Sequence, residues 1–370
     1  MILLNDFKRQ WQDTKDAALA AFAAVGESGW YVLGEEVRCF ETALAGIWGL
    51  RYAAGVASGL DAIEIALRVL GCGPGDKVLT TPLSAFATTL AILKTGAAAV
   101  FVDTDDTGLL DLARCHDVLR KRRDIRFLVP VHLYGHSLNL RELASLRDEF
   151  GCRTVEDCAQ SVLASFEGRR AGTVGEMAAA SFYPTKNLGA MGDGGAILTS
   201  DEALCREAQI LRDYGQGAKY RHDKVGYNSR LDELQASLMR RVYLPKLEGW
   251  TSRRSEIARA YLAGIRNPAL RPVAAPPGSE SVWHLFPVLV VSGGKPEFLR
   301  HLAAHGIAGG EHYPIMIPDQ AAMRGASYEM ADDCATARGI AHSEVSLPIH
   351  PYLTDAEVEQ VIAACNGWER

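Results

Sequence analysis

The chain reads as an α/β protein: a mixed, mostly parallel sheet with helices on both faces, followed by a smaller C-terminal α/β domain. Three observations predict this. Short β-rich runs alternate with helical periods from about residue 77 to residue 212, the trace that strands and crossover helices leave in a sequence. Beyond the Pro-, Ala- and Gly-rich stretch Pro272 to Ser281, a further strand-like run begins. The length, 370 residues, suits two domains. We expect a large domain over 1–248 and a small one over 249–370.

In order, strands are expected at Lys77 to Thr80, Ala99 to Val102, Arg126 to Val131, Thr154 to Asp157, Ala179 to Tyr183 and Ala196 to Thr199. Helical periods fall at Phe86 to Lys94, Asp111 to Arg122, Arg141 to Phe150 and Glu202 to Arg212. A further apolar helical period begins at Ser58-Gly59, and Leu231 to Leu247 reads as one long helix. Pro245 and Gly249 mark a change of direction near its end. Trp283 to Val291 is strand-like.

Composition narrows the class. Hydrophobic residues make up 48% and charged residues 23%, mean hydropathy is -0.02, and no apolar run reaches membrane-spanning length. The start, Met1-Ile2-Leu3-Leu4-Asn5-Asp6, turns charged without the basic segment and long apolar stretch of an export signal. A cytoplasmic protein with no membrane partner is expected. A net charge of -6 gives no general attraction for nucleic acid. The one basic knot, Arg120 to Arg123, sits where positive charge complements a helix terminus. Eight cysteines without a C-x-x-C pair predict free thiols, neither a disulfide frame nor a zinc site.

Chemistry concentrates around Lys186, in Ser181-Phe182-Tyr183-Pro184-Thr185-Lys186-Asn187-Leu188-Gly189. A lysine just past a buried β-like segment, between Pro and Gly turns, is badly placed for a solvated charge. An amine directed into a site becomes a nucleophile toward aldehydes when its pKa is depressed, most commonly in a Schiff base with pyridoxal phosphate (PLP). The competing reading is a surface lysine in a glycine-rich turn. Asp157 ends a short strand, where a carboxylate can hold a pyridine nitrogen protonated, or simply cap a helix. Gln160, three residues on, is placed to bond the ring hydroxyl. Glu156 faces the other way by strand alternation. Ser58 and Gly59 open a helix whose N-terminus suits a phosphate, although Ser58 also reads as an ordinary N-cap. Phe86 is a candidate to stack on the pyridine, or a core residue.

These residues lie within a wider resemblance. The runs SGLDAIEIAL (58–67), SAFATTLAI (84–92), VPVHLYGH (129–136), VEDCAQS (155–161), SFYPTKNLGAMGDGGA (181–196), LRDYGQ (211–216), GYNSRLDELQAS (226–237) and SLPIHPYLT (346–354) resemble the DegT/StrS-type nucleotide-sugar aminotransferases over almost the whole chain. A sister group of dehydratases carries histidine at the Schiff-base position, so lysine implies transamination. The resemblance implies fold type I of the PLP enzymes, with the amino-terminal helix packed on the smaller domain. It makes Lys186 the Schiff-base lysine and proton shuttle, Asp157 the pyridinium partner, Gln160 the ring-oxygen partner and Phe86 the stacking plate. Ser58, Gly59, Leu60 and Ser181 would hold the phosphate. Leu60 stands where the family often has threonine, which leaves only its backbone amide for that contact. Asn228 resembles an asparagine by which a neighbouring subunit reaches that phosphate, and this makes a homodimer part of the active site.

Three segments look most like enzymes that aminate a 3-keto-6-deoxyhexose carried on thymidine diphosphate: SFYPTKN with Tyr183, Val282-Trp283-His284-Leu285-Phe286, and His312-Tyr313-Pro314-Ile315. L-glutamate is the expected amino donor. Tyr183, Lys219, Tyr220, Arg230, His312 and Tyr313 are candidates to meet the sugar nucleotide, with Lys219 or Arg230 on the diphosphate. Their competing readings are a charged loop in water and a turn packed on the small domain. Beyond Ile315 the chain departs from the relatives, with Met316-Ile317-Pro318 in place of a proline-histidine-leucine run. A 4-keto or acetamido-3-keto hexose, a keto-inositol, or a non-catalytic PLP-binding role are the alternatives.

Overall fold

The computed structural model describes residues 1–369. Seven strands build most of an eight-stranded sheet: β1 (Tyr52–Val56), β2 (Lys77–Thr80), β3 (Ala98–Phe101), β4 (Phe127–Val129), β5 (Arg153–Asp157), β6 (Met177–Ser181) and β7 (Gly195–Thr199). Apart from two- and three-residue strands in loops, the chain continues with β8 (Leu270–Pro272), β9 (Phe286–Val290), β10 (Tyr328–Met330) and β11 (Glu344–Leu347). The large sheet runs β1-β7-β6-β5-β4-β2-β3-β10, and only β7 is antiparallel to its neighbours. Parallel pairing makes the strands from β6 to β10 end on one side, where ligands gather in such sheets. The strands β8, β9 and β11 form a separate antiparallel sheet.

The near-continuous apolar strands are explained by cover on both faces. Along β6, Met177 and Ala179 face one core while Ala178 and Ala180 face the other, the period of two that pleating imposes. A third core joins the small sheet to the helices Lys295–Ala304 and Asp355–Asn366. The first helix, Phe7–Ser28, buries Thr14, Ala18, Ala21 and Val25. Ser237 Oγ donates to its Ala21 carbonyl at 3.2 Å. At its other end, Arg9 pairs with Glu357 at 2.6 Å and Tyr352 bonds Asp13 at 2.9 Å. Among the described residues no helix is long and apolar enough to cross a membrane, and all eight cysteines are free.

Local expectations fail in three places. The helix expected over 231–247 is three pieces: Glu233–Leu238, a π turn at Met239–Tyr243, and Leu244–Gly264, which runs straight through Gly249. The pieces are continuous, with Tyr243 and Leu244 both right-handed helical, and Pro245, which has no N–H to donate, follows the π turn directly. β4 stops at Val129 because Pro130 has no N–H to continue the ladder. The strand expected from Trp283 begins only at Phe286, since Trp283 has a positive φ of 47°.

Candidate active site

The turn after β6 positions Lys186. Its loop is closed by Phe182 N–H to the Gly194 carbonyl at 2.8 Å, Ala190 N–H to the Phe182 carbonyl at 2.7 Å and Lys186 N–H to the Tyr183 carbonyl at 2.8 Å. The Lys186 side chain faces a cavity of about 470 Å³. Among the described residues its Nζ has no ion-pair or hydrogen-bond partner. Burial pulls its pKa down to about 8, against a smaller upward pull from Asp157.

Asp157 ends β5, 3% exposed, at the same cavity. Its Oδ2 accepts from Thr88 Oγ1 at 2.8 Å and its Oδ1 from Ala159 N–H at 3.0 Å. Burial still pushes its pKa up, although both hydrogen bonds and the Lys186 charge act downward. A buried carboxylate in that condition calls for a cation. Glu156 lies on the opposite face, as alternation requires, and bonds His132 at 2.9 Å and the N–H groups of Gly172, Val174 and Gly175.

The third wall is the start of the helix Gly59–Val69. Ser58 is extended and its Oγ accepts from Asp61 N–H at 3.1 Å, so it is an N-cap that also borders the cavity with Gly59, Leu60 and Ser181. A Cβ at Gly59 would come within 2.6 Å of Ser181 Cβ, and one at Gly195 within 2.4 Å of the Ser58 carbonyl carbon. Strand and helix terminus approach too closely for any side chain there. An anion-accepting helix N-terminus, a nucleophilic amine and a buried carboxylate wanting a cation together fit pyridoxal phosphate.

The structure thus gathers Lys186, Asp157, Ser58, Gly59, Leu60, Ser181, Tyr183, His312 and Tyr313 around one cavity. Phe86 is half-buried against the core, while its neighbours Ala85, Ala87 and Thr88 line the wall. Gln160 stands behind the wall: its Oε1 accepts from Tyr134 N–H at 2.8 Å and its Nε2 donates to Tyr313 Oη at 3.2 Å. Lys219, Tyr220, Asn228 and Arg230 do not line the cavity of their own chain. Lys219 and Tyr220 lie at an exposed hairpin (Gln216–Ala218 with Arg221–His222), and Arg230 is held by Asp213 at 2.9 Å and by the Tyr214 ring. Asn228 is exposed, its backbone bridged to Asp213.

Thr88, Ala159 and His284 also line the cavity, and no local signal marks them. Thr88 lies in the same run as Phe86, but its partner Asp157 is 69 residues away. His284, buried with Nδ1 3.2 Å from Asn187 Oδ1, also faces the cavity.

The profile of the DegT/DnrJ/EryC1/StrS aminotransferase family matches residues 12–366. The dTDP-3-amino-3,4,6-trideoxy-alpha-D-glucose transaminase of Streptomyces venezuelae is 39% identical over 98% of this chain and 95% of that protein. The UDP-N-acetyl-3-dehydro-alpha-D-glucosamine 3-aminotransferase of Acidithiobacillus ferrooxidans is 33% identical over 97% and 96%. The crystal structure of S. venezuelae DesV in complex with a ketimine intermediate superposes with a TM-score of 0.94 at 38% identity, covering 100% of this chain and 98% of that one.

Proposed function

The chain belongs to the DegT/DnrJ/EryC1/StrS aminotransferase family, and from that premise we propose a PLP-dependent transfer of the amino group of L-glutamate to a nucleotide-linked keto sugar. The preferred acceptor is a dTDP-3-keto-6-deoxyhexose, giving a dTDP-3-amino-3,6-dideoxyhexose. The observation that carries this is the unpartnered Lys186 amine, facing the buried Asp157 across a cavity floored by a helix N-terminus.

When bound, PLP supplies an aldehyde carbon that takes up amino groups and a ring that withdraws electrons from the adjacent carbon. Lys186 would hold that carbon through Nζ, and the same Nζ would be the base that moves the proton at the reacting carbon. A pKa near 8 lets one amine accept and return that proton. Asp157, oriented by Thr88 and Ala159, would hold the pyridine nitrogen protonated, and that cation would answer the cost of burying the acid. Ser58, Gly59, Leu60 and Ser181 take the phosphate. Gln160, which fixes Tyr313 from behind the wall, would also serve the ring oxygen, Phe86 would pack at the ring, and Tyr183, His312 and Tyr313 would bind the sugar. Ile63, Leu285, Leu347 and Ile349 keep water from the reacting carbon.

The reading includes a cytoplasmic homodimer in which Asn228 reaches the neighbouring phosphate and Lys219, Tyr220 and Arg230 approach the neighbouring diphosphate. It is supported by their place outside the cavity of their own chain, and by eight free cysteines, which suit a reducing compartment. A UDP-linked acetamido-3-keto sugar is the second acceptor, favoured by the Acidithiobacillus relative.

Purified protein given PLP should turn yellow, and L-glutamate should bleach it. A panel of dTDP- and UDP-linked 3-keto and 4-keto sugars should then restore the colour, the dTDP-3-keto sugar fastest. Borohydride that fixes the cofactor to a residue other than Lys186, or colour indifferent to glutamate, would overturn the assignment.

A further inference from the structure

On β11, Glu344 and Ser346 are two residues apart and therefore on one face; they are 1% and 0% exposed. Ser346 Oγ lies 2.5 Å from Glu344 Oε1 and 2.9 Å from His312 Nδ1. Glu344 Oε2 accepts from His312 N–H at 2.6 Å, and Tyr134 Oη donates to the His312 carbonyl at 2.8 Å. The imidazole is thus clamped on its Nδ1 side. Its Nε2 has no hydrogen-bond partner among the described residues, and the ring borders the Lys186 cavity.

A hydroxyl has one proton, so the three groups share a single direction of donation. With Glu344 ionised, Ser346 donates to it, Nδ1 donates to Ser346, and Nε2 offers a bare lone pair. With Glu344 protonated on Oε1, it donates to Ser346, Ser346 donates to Nδ1, and Nε2 carries the hydrogen. Either way the ring stays neutral, since burial and the Lys186 charge push the His312 pKa down to about 4.

We propose that Glu344, acting through Ser346, sets the hydrogen-bond polarity of His312 Nε2 and so decides whether this wall offers the acceptor sugar a donor or an acceptor. The proposal rests on the function above only for the identity of that sugar. Glu344 is a positioning residue, and the donor state is the one that suits a sugar oxygen able only to accept, such as a carbonyl or ring oxygen.

Several groups face Glu344. Lys295, in the helix Lys295–Ala304, favours its ionised form but is itself paired with Glu311 at 2.8 Å, and Glu311 favours the neutral form. The phenols of Tyr134 and Tyr313 and the neutral His312 complete the surroundings. Strand β9, paired at Leu289, brings no charge. Burial dominates and pushes the acid up to about 8. Below that pH Glu344 is protonated and Nε2 donates; above it Nε2 accepts.

The test is ¹⁵N NMR of PLP-loaded enzyme with labelled histidines, in which a protonated ring nitrogen is resolved from a bare one. The His312 signals are assigned by their loss in His312→Gln. Between about pH 6.5 and about pH 9.5, wild-type Nδ1 and Nε2 should exchange roles with a midpoint near 8. In Glu344→Gln the amide NH₂ donates to Ser346 while its oxygen keeps the His312 N–H bond, so Nε2 should stay protonated throughout. Ser346→Ala should abolish the exchange. The keto-sugar KM should rise about 5-fold across the same range in wild type, the loss of one hydrogen bond, and stay flat in Glu344→Gln. A wild-type ring locked in one tautomer, or a Gln variant that still exchanges at the wild-type midpoint, overturns the relay. The ring signals need no sugar, so a wrong acceptor and a wrong relay give different results.

Discussion

Burial acts in opposite directions on the two groups at the centre of the site. It lowers the Lys186 pKa to about 8 and raises that of Asp157, so each is pressed toward its neutral form. A neutral amine is the form that attacks an aldehyde. Cofactor-free protein should therefore capture PLP at a rate that rises as pH passes through about 8 and levels off above it, followed by stopped-flow absorbance. Lys186→Arg should give no borohydride-stable adduct at any pH, and a wild-type rate still climbing at the pH of an ordinary lysine would contradict the burial argument. Thr88 is the second lever. Thr88→Val removes one of two hydrogen bonds to a buried acid, a loss of about 1–3 kcal/mol. It should lower kcat/KM about 10-fold or more while borohydride still labels Lys186; unchanged kinetics would show that Ala159 N–H alone holds the carboxylate.

At the scale of elements, the approach of the helix Gly59–Val69 to β6 constrains the cofactor floor. A methyl at Gly59 would meet Ser181 Cβ at 2.6 Å, a distance that backbone must relieve. Gly59→Ala should cost about 1–3 kcal/mol of stability, read as a lower Tm, and should weaken PLP retention on dialysis about 10-fold or more. A variant that keeps both would mean the floor has slack. The same scale shows how legible the fold was. Lys77–Thr80 and Glu202–Arg212 fall at their predicted limits because strand alternation, an Asp201 cap and helical period are local signals. The π turn at Met239–Tyr243 and the continuation through Gly249 left no such mark. Packing against the first helix holds the turn, and a methyl at Gly249 would meet nothing within 4 Å, so that glycine imposes no bend.

At the scale of the molecule, the proposed homodimer makes a quantitative claim. If Asn228 serves the neighbour's phosphate, Lys186→Ala and Asn228→Ala chains refolded together should form mixed dimers with one fully intact site. Half the dimers are mixed and each holds one such site, so activity should recover to about a quarter of wild type. Activity no greater than the average of the two separate variants would place Asn228 outside the partner's site. The surface positions of Lys219, Tyr220 and Asn228 on their own chain are what this arrangement requires.

The local sequence singled out Lys186, Asp157, Ser58 and Gly59 as candidates, because a lysine in a turn after a buried strand, an acid at a strand end and a small residue opening a helix each leave their signal within a few residues, and the family resemblance chose between their competing readings. Between Lys77 and Arg212 it also gave the order of strands and helices, through periodicities of 2 and 3.6. Only the tertiary structure decided that Thr88 holds Asp157, that Gln160 supports Tyr313 from behind the wall, and that Glu344 and Ser346 grip His312. Each of these contacts joins separate turns and strands across the interior, where side-chain direction and close packing choose the partner and no spacing in the chain records the choice.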